Sequence, residues 1–274
     1  MMKIVVKFGG SSLADAGQFR KVAEIIHADP HRRYVVPSAP GRRFDDDIKV
    51  TDMLYACYDK AEAGEDFSDL LSAIKDRFNE IITDLDMDLS LEEEFATIRQ
   101  RFTERAGRDY AASRGEYLNG IVLAAYLGFE FIDAASVIRF DDYGNFEPDK
   151  TNIILSRRLE DVEYAVIPGF YGINDSGIIT TFSRGGSDIT GSIVSRAVHA
   201  DLYENWTDVS GFLTADPHIV NNPERIDTIT YKELRELSYM GASVLHEDAI
   251  FPVRSEGIPI NILNTNRPQG PSGV

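Results

Sequence analysis

Three short stretches carry residue types that could do chemistry. The first is VVKFGGSSLAD, residues 5–15, where Lys7 sits among Ile4, Val5, Val6 and Phe8 and is followed by Gly9, Gly10 and Ser11. A core strand normally excludes an unpaired ammonium, because burying that charge is expensive. Glycines at a strand–helix junction let backbone N–H groups approach an anion. The stretch therefore reads as a phosphate cradle with its own counter-ion. The competing reading is a β-turn after an edge strand, with Lys7 pointing to water.

The second stretch is TTFSRGGSDITGSIVSRAVHAD, residues 180–201. A strand over 178–182 runs into Arg184, Gly185 and Gly186, and Ser187 opens a helix with an apolar face of Ile189, Ile193, Val194 and Ala197. Ser187 and Asp188 could be only an N-cap and a first-turn acid. Arg184 beside two glycines at a strand's carboxyl end is better explained by a carboxylate or phosphate ligand. The third stretch, YENWTDVSGFLTADPHIVNNPERI at 203–226, closes a strand with Trp206, Thr207 and Asp208 and continues through Gly211 to an Asp216-Pro217 turn. Taken singly these are turn residues. Together with the single tryptophan they form a polar loop set at another strand end.

Two helix starts have a double reading. SRGE, residues 113–116, fits a capping box, so Glu116 could bond its own helix start. VTDML places Thr51 or Asp52 at an N-cap. Spacing alone favours caps for both. Other chemistries lack their signatures. There is no G-x-x-x-x-G-K-[ST], no G-x-G-x-x-G after the first strand and no G-x-S-x-G. His27, His31, His199, His218 and His246 show no metal-ligand spacing.

These residues need a scaffold. KIVVKF, RYVVPS, FEFIDA, EYAVIPGF, GIITTF and PINILN read as strands, several apolar enough to be covered on both faces. Helical patterns fall at about 16–28, 52–62, 66–86, 91–106, 114–127, 187–199, 231–238 and 247–256. This alternation predicts an α/β fold, a mostly parallel sheet between helix layers. The helix-only section 52–127 should form a cap or interface on one lobe. A net charge of −17, from 45 acidic against 28 basic residues, argues against nucleic acid and membrane partners. It also means that an anionic substrate must find local cations. Cys57 is the only cysteine, which suits a reducing cytoplasm, and its neighbours suit a packed, inert thiol. No leader and no apolar run of spanning length is evident, so neither an export signal nor a membrane span is expected.

VVKFGGSS, SRGEYL, FSRGGSD, WTDVSGFLTADP and SYMGASVLHEDAI…IPINILNTNRP occur in the order that they have in aspartokinases, within the amino acid kinase superfamily. The resemblance covers essentially the whole chain. It implies a three-layer α/β/α sandwich, one catalytic domain over 1–274 with an aspartate lobe at about 1–200 and an ATP lobe at about 201–274. The reaction implied is ATP plus L-aspartate giving 4-phospho-L-aspartate and ADP, the first step toward lysine, threonine and methionine, with Mg²⁺ and a possible homodimer. By resemblance, Lys7 contacts the transferring phosphoryl group and Gly9, Gly10 and Ser11 cradle it. Arg184, with Gly185, Gly186 and Ser187, grips the substrate α-carboxylate, and Glu116 accepts the α-ammonium. Ser38 and Thr51 lie near the reacting groups, and Asp188 matches the aspartate of the family's GGSD motif. Thr207, Asp208, Gly211, Phe212, Asp216, Pro217, His218 and Ser243 resemble the nucleotide site. This replaces the cap reading of Glu116 and Thr51, although capping and ligand contact can coexist.

The implied chemistry is consistent. An aspartate side chain has a pKa of about 3.9, so the nucleophile is already ionised and needs no base. Catalysis then rests on positioning and charge neutralisation. Many family members carry a cation at the position of Ser243 and an arginine at that of His218, which predicts weaker or altered phosphate contacts here. Family members also usually continue past the NTNRP linker into ACT domains, so inhibition by lysine or threonine is not expected of this chain. Two other readings compete: a superfamily kinase acting on glutamate, acetylglutamate, carbamate or UMP, and a catalytically silent binding module.

Overall fold

β1 (Ile4–Phe8) is buried at every position, as an Ile-Val-Val-Lys-Phe strand covered on both faces must be. In the computed structural model, which describes residues 2–183, 186–208, 212–213, 225–226, 230, 233 and 247–268, β1 lies inside a six-stranded sheet. It pairs in parallel with β2 (Arg32–Pro37) and β7 (Leu202–Thr207). β4 (Ala165–Val166) and β3 (Glu130–Phe131) continue the sheet beyond β2, and β10 (Ile260–Asn264) continues it beyond β7. All five pairings are parallel. Outside this sheet lie an antiparallel hairpin of β5 (Tyr171–Ile173) with β6 (Ile179–Thr181) and a pair of β8 (Phe212–Leu213) with β9 (Arg225–Ile226).

The two-residue period of the strands divides the core into two layers. Val6, Phe8 and Trp206 point to one face, where α1 (Ala16–His27), α2 (Val50–Ala63), α3 (Ser68–Asp84), α4 (Glu92–Thr103) and α5 (Arg108–Leu127) supply the partners. Val5, Tyr34, Val36 and Tyr203 point to the other. There α6 (Ala134–Val137), α7 (Pro148–Leu159), α8 (Gly186–Ala197) and the helix Glu247–Glu256 pack. The expected α/β/α sandwich is present. Cys57 is buried on α2, and burial pushes its thiol up to about 12, so it is packed and unreactive.

Several expectations are corrected. The segment GIITTF supplies a strand as expected, but among the described residues β6 pairs only with β5, in a hairpin outside the parallel sheet. α7 and α6 lie where sequence reasoning had placed no helix, and α5 begins at Arg108 rather than near 114. Trp206 is 1% exposed and stacks on Phe8, with its indole Nε1 donating to Glu204 Oε2 at 2.8 Å. It is a core residue, not part of a polar loop. The predicted helix at 231–238 lies outside the described residues.

Chain order reverses at β1. The chain passes from β1 through α1 to β2 on one side, while β7 is added on the other after α8. Such a switch point opens a crevice at the carboxyl ends of the strands, where ligands bind in open α/β sheets.

Candidate active site

Lys7 faces that crevice. The register sets it opposite Asn205 on β7, so both side chains leave the sheet on the face covered by α8. Lys7 is 8% exposed, which excludes the edge-strand reading. Its Nζ stands 2.7 Å from Asp188 Oδ1, in the first turn of α8, and 3.5 Å from Asn205 Oδ1. Asn205 Nδ2 donates to the same Asp188 oxygen at 2.8 Å. The three groups form a closed triangle that fixes the ammonium at the switch point. Asn205 was missed in the sequence. The available signal was an amide inside the buried strand LYENWT, but its partner is set by a register spanning 198 residues.

The glycines after β1 form a 3₁₀ turn, Gly10–Leu13. The Gly9 N–H is committed to the Trp206 carbonyl at 3.0 Å, so it is not a free donor for an anion. Gly10 and Ser11 open the turn, where N–H groups have no acceptor within the helix. Gly10 is required for a second reason. Gly41 N–H donates to its carbonyl at 2.8 Å, and a Cβ on Gly10 would stand 2.8 Å from the Ala39 carbonyl oxygen. The glycine turn and the loop after β2 are thus pressed backbone to backbone.

Between them lies a cleft of about 550 Å³. Gly10, Ser11, Ser38, Thr51, Glu116 and Asp208 all line it. Ser38 continues the β2 pairing, donating its N–H to Phe8 O at 3.0 Å. Thr51 is not an N-cap, since α2 begins at Val50 after Lys49. Glu116 is not a capping-box acid, because Ser113 and Glu116 lie well inside α5 and Ser113 Oγ donates to Tyr110 O at 2.7 Å. Thr207 ends β7 and Asp208 follows it. There Asn264 Nδ2 donates to Asp208 O at 2.9 Å, and Thr265 N–H donates to Thr207 O at 2.9 Å.

Glu116 is the unusual group. It is buried, its Oε2 has no hydrogen-bond partner among the described residues, and burial pushes its carboxyl up to about 8 despite nearby backbone donors and Arg114. One turn along the same helix, Asn119 is fully buried and donates Nδ2 to Ser38 O at 2.6 Å, leaving Oδ1 unpartnered among the described residues. Positions i and i+3 share a helix face. Two buried oxygens on one wall without a partner among the described residues are costly unless a ligand supplies a multivalent donor, and an ammonium is one. Asn119 was also missed, although a lone amide in NGIVLAAYL was a usable sign.

Gly186 and Ser187 open α8 beside Asp188. Phe212 is described only through its backbone in β8. Arg184, Gly185, Gly211, Asp216, Pro217, His218 and Ser243 lie outside the described residues. Among the described residues no group of three His, Cys, Asp or Glu side chains could hold a metal ion, and no helix is long and apolar enough to cross a membrane.

A parallel sandwich with a lysine-bearing crevice at its switch point and an acceptor-lined cleft beside it defines an α/β ligand-binding class. The chain belongs to the amino acid kinase family, whose model matches residues 2–264. Aspartokinase 3 of Bacillus subtilis is 40% identical over 281 residues, covering 96% of this chain and 61% of that protein. The crystal structure of Clostridium acetobutylicum aspartate kinase is 53% identical with a TM-score of 0.95, over 100% of this chain and 62% of that one. Escherichia coli aspartokinase III in complex with aspartate and ADP is 29% identical with a TM-score of 0.85, over 97% of this chain and 63% of that one. The chain therefore spans about three-fifths of the length of these relatives.

Proposed function

We propose that this chain phosphorylates the side-chain carboxylate of L-aspartate with ATP, giving 4-phospho-L-aspartate and ADP. The observation that carries the reading is the buried Glu116 carboxyl, whose Oε2 has no partner among the described residues, in the same cleft as the glycine turn that follows Lys7. A similar protein crystallised with aspartate and ADP supports the choice of ligands.

In this reading the substrate α-ammonium satisfies Glu116 and Asn119, and Arg184 takes the α-carboxylate. Ser38, Thr51, Gly185, Gly186 and Ser187 complete that side. The β-carboxylate, ionised at neutral pH, attacks the γ-phosphoryl group as the bond to the β-phosphate breaks and ADP leaves. Lys7 neutralises charge on the transferring group, while Asp188 and Asn205 hold its ammonium in place. The Gly10 and Ser11 amides cradle the phosphates. Gly211, Phe212, Asp216, Pro217, His218 and Ser243 bind the nucleotide with Thr207 and Asp208. Mg²⁺ arrives as part of the nucleotide substrate, and the exposed Asp208 at the cleft rim suits an ion that keeps most of its water. Residues 1–200 then serve mainly the acceptor and 201–274 mainly the nucleotide, in a cytoplasmic homodimer.

An ADP-release assay across acceptors tests this. Aspartate should exceed glutamate in kcat/KM by at least ~10-fold, the scale of one misplaced methylene. Equal turnover of glutamate, or none of aspartate, would contradict it. The intact Lys7–Asp188–Asn205 triangle favours a working site over a silent module.

A further inference from the structure

The loop 41–49, PGRRFDDDIKV in context, has no part in the assignment above, yet Arg42, Arg43, Phe44, Asp45 and Lys49 line the cleft. It is held from beneath by Arg77 of α3, which is 4% exposed. Arg77 Nη1 donates to Ile48 O at 2.9 Å, and Nη2 donates to Gly41 O and to Ala14 O. Both ends of the loop are thereby tied to one guanidinium. Asp47 sits 3.4 Å from Arg77 Nη2 and also accepts from Arg43, through Nε at 2.9 Å and the backbone N–H at 3.0 Å. These bonds hold the Asp47 carboxyl well below the usual carboxylate range, so the clamp is charged at neutral pH.

The clamp consumes Arg43 and leaves two cations over. Arg42 and Lys49 are exposed and make no ion pair among the described residues; the one hydrogen bond of the Arg42 guanidinium there is to Asp45 O at 3.4 Å. Gly41, whose N–H binds the Gly10 carbonyl, puts Arg42 one residue from the glycine turn. In a chain of net charge −17, uncommitted cations at an anion cleft are conspicuous.

We propose that the clamped loop presents Arg42 and Lys49 to the terminal phosphate of the nucleotide, with Arg77 and Asp47 as positioning residues that act through them. The identity of the anion rests on the reading above.

Calorimetry of the full chain with MgATP and MgADP, without acceptor, tests the proposal. Arg42→Ala and Lys49→Ala should each weaken MgATP about 5–10-fold and MgADP much less, with unchanged thermal midpoints. Arg42→Lys should recover most of the Arg42 loss. Asp47→Asn should reproduce the selective ATP loss by freeing the loop, raising KM for ATP more than it lowers kcat. An R42A/K49A double variant within twofold of the parent for MgATP overturns the proposal. So does equal loss for ATP and ADP, or a rise in aspartate KM alone. Parent turnover of aspartate is scored separately, so failure of the acceptor assignment leaves the ATP affinities to judge the loop.

Discussion

Lys7→Ala is expected to lower kcat by at least ~10²-fold, the scale for removing one preorganised charge-stabilising donor. The geometry argues for more than that minimum. The Lys7 ammonium lies 2.7 Å from Asp188 Oδ1, and the Asp188 side chain is 22% exposed. Truncating Lys7 leaves that carboxylate facing the path of the phosphates, so the site changes from a neutral pair to a net negative charge. Asp188→Asn in the same background should therefore recover part of the loss, giving strong non-additivity in a double-mutant cycle. Steady-state ADP release at saturating substrates reads this, with circular dichroism to confirm folding. A Lys7→Ala enzyme within tenfold of the parent shows that the ammonium has been misassigned.

Glu116→Gln is expected to raise KM for aspartate about 30-fold or more with a much smaller change in kcat, since it deletes the charge from a buried ion pair formed with substrate. Its pH signature is more specific. Burial pushes the Glu116 carboxyl up to about 8 in the folded chain, against an ordinary value of 4.5. Between these values the folded state holds a proton that the unfolded state has released, so stability falls as pH rises from about 4.5 to about 8. The contribution is fully present below the lower value and lost above the upper one. Glu116→Gln should flatten this slope. Substrate ammonium reverses the preference, so aspartate binding at pH 7 should release nearly one proton and tighten as pH rises toward 8. Calorimetry in buffers of different protonation enthalpy measures the release, and binding with no proton release would exclude the ammonium contact.

The sheet was legible because β1, β2 and β10 are apolar runs bounded by turn residues, and Lys7 was legible because it violates its strand. The ordered motifs identified the family, and Gly10, Ser11, Ser38, Thr51, Glu116 and Asp208, drawn from separate motifs, line one cleft. Other features depend on contacts distant in sequence. Asn205 meets Lys7 only through strand register, and Arg77 meets Gly41 across 36 residues. Ser113-x-x-Glu116 imitates a capping box although both residues lie inside α5, where Ser113 Oγ bonds the Tyr110 carbonyl and Glu116 lines the cleft. Gly115 belongs to the same adaptation, since a Cβ there would stand 2.8 Å from Ala39 Cβ and push the helix off the loop. α7 was missed although Pro148 at its first turn is a common helix start.

The most direct measurement is a crystal structure with a non-hydrolysable ATP analogue and L-aspartate bound together. The Lys7 ammonium is expected within ~3 Å of a terminal phosphate oxygen, and the substrate amine within the same distance of Glu116 Oε2. Phosphates seated away from the glycine turn, or an aspartate whose amine lies outside the α5 wall, would contradict it.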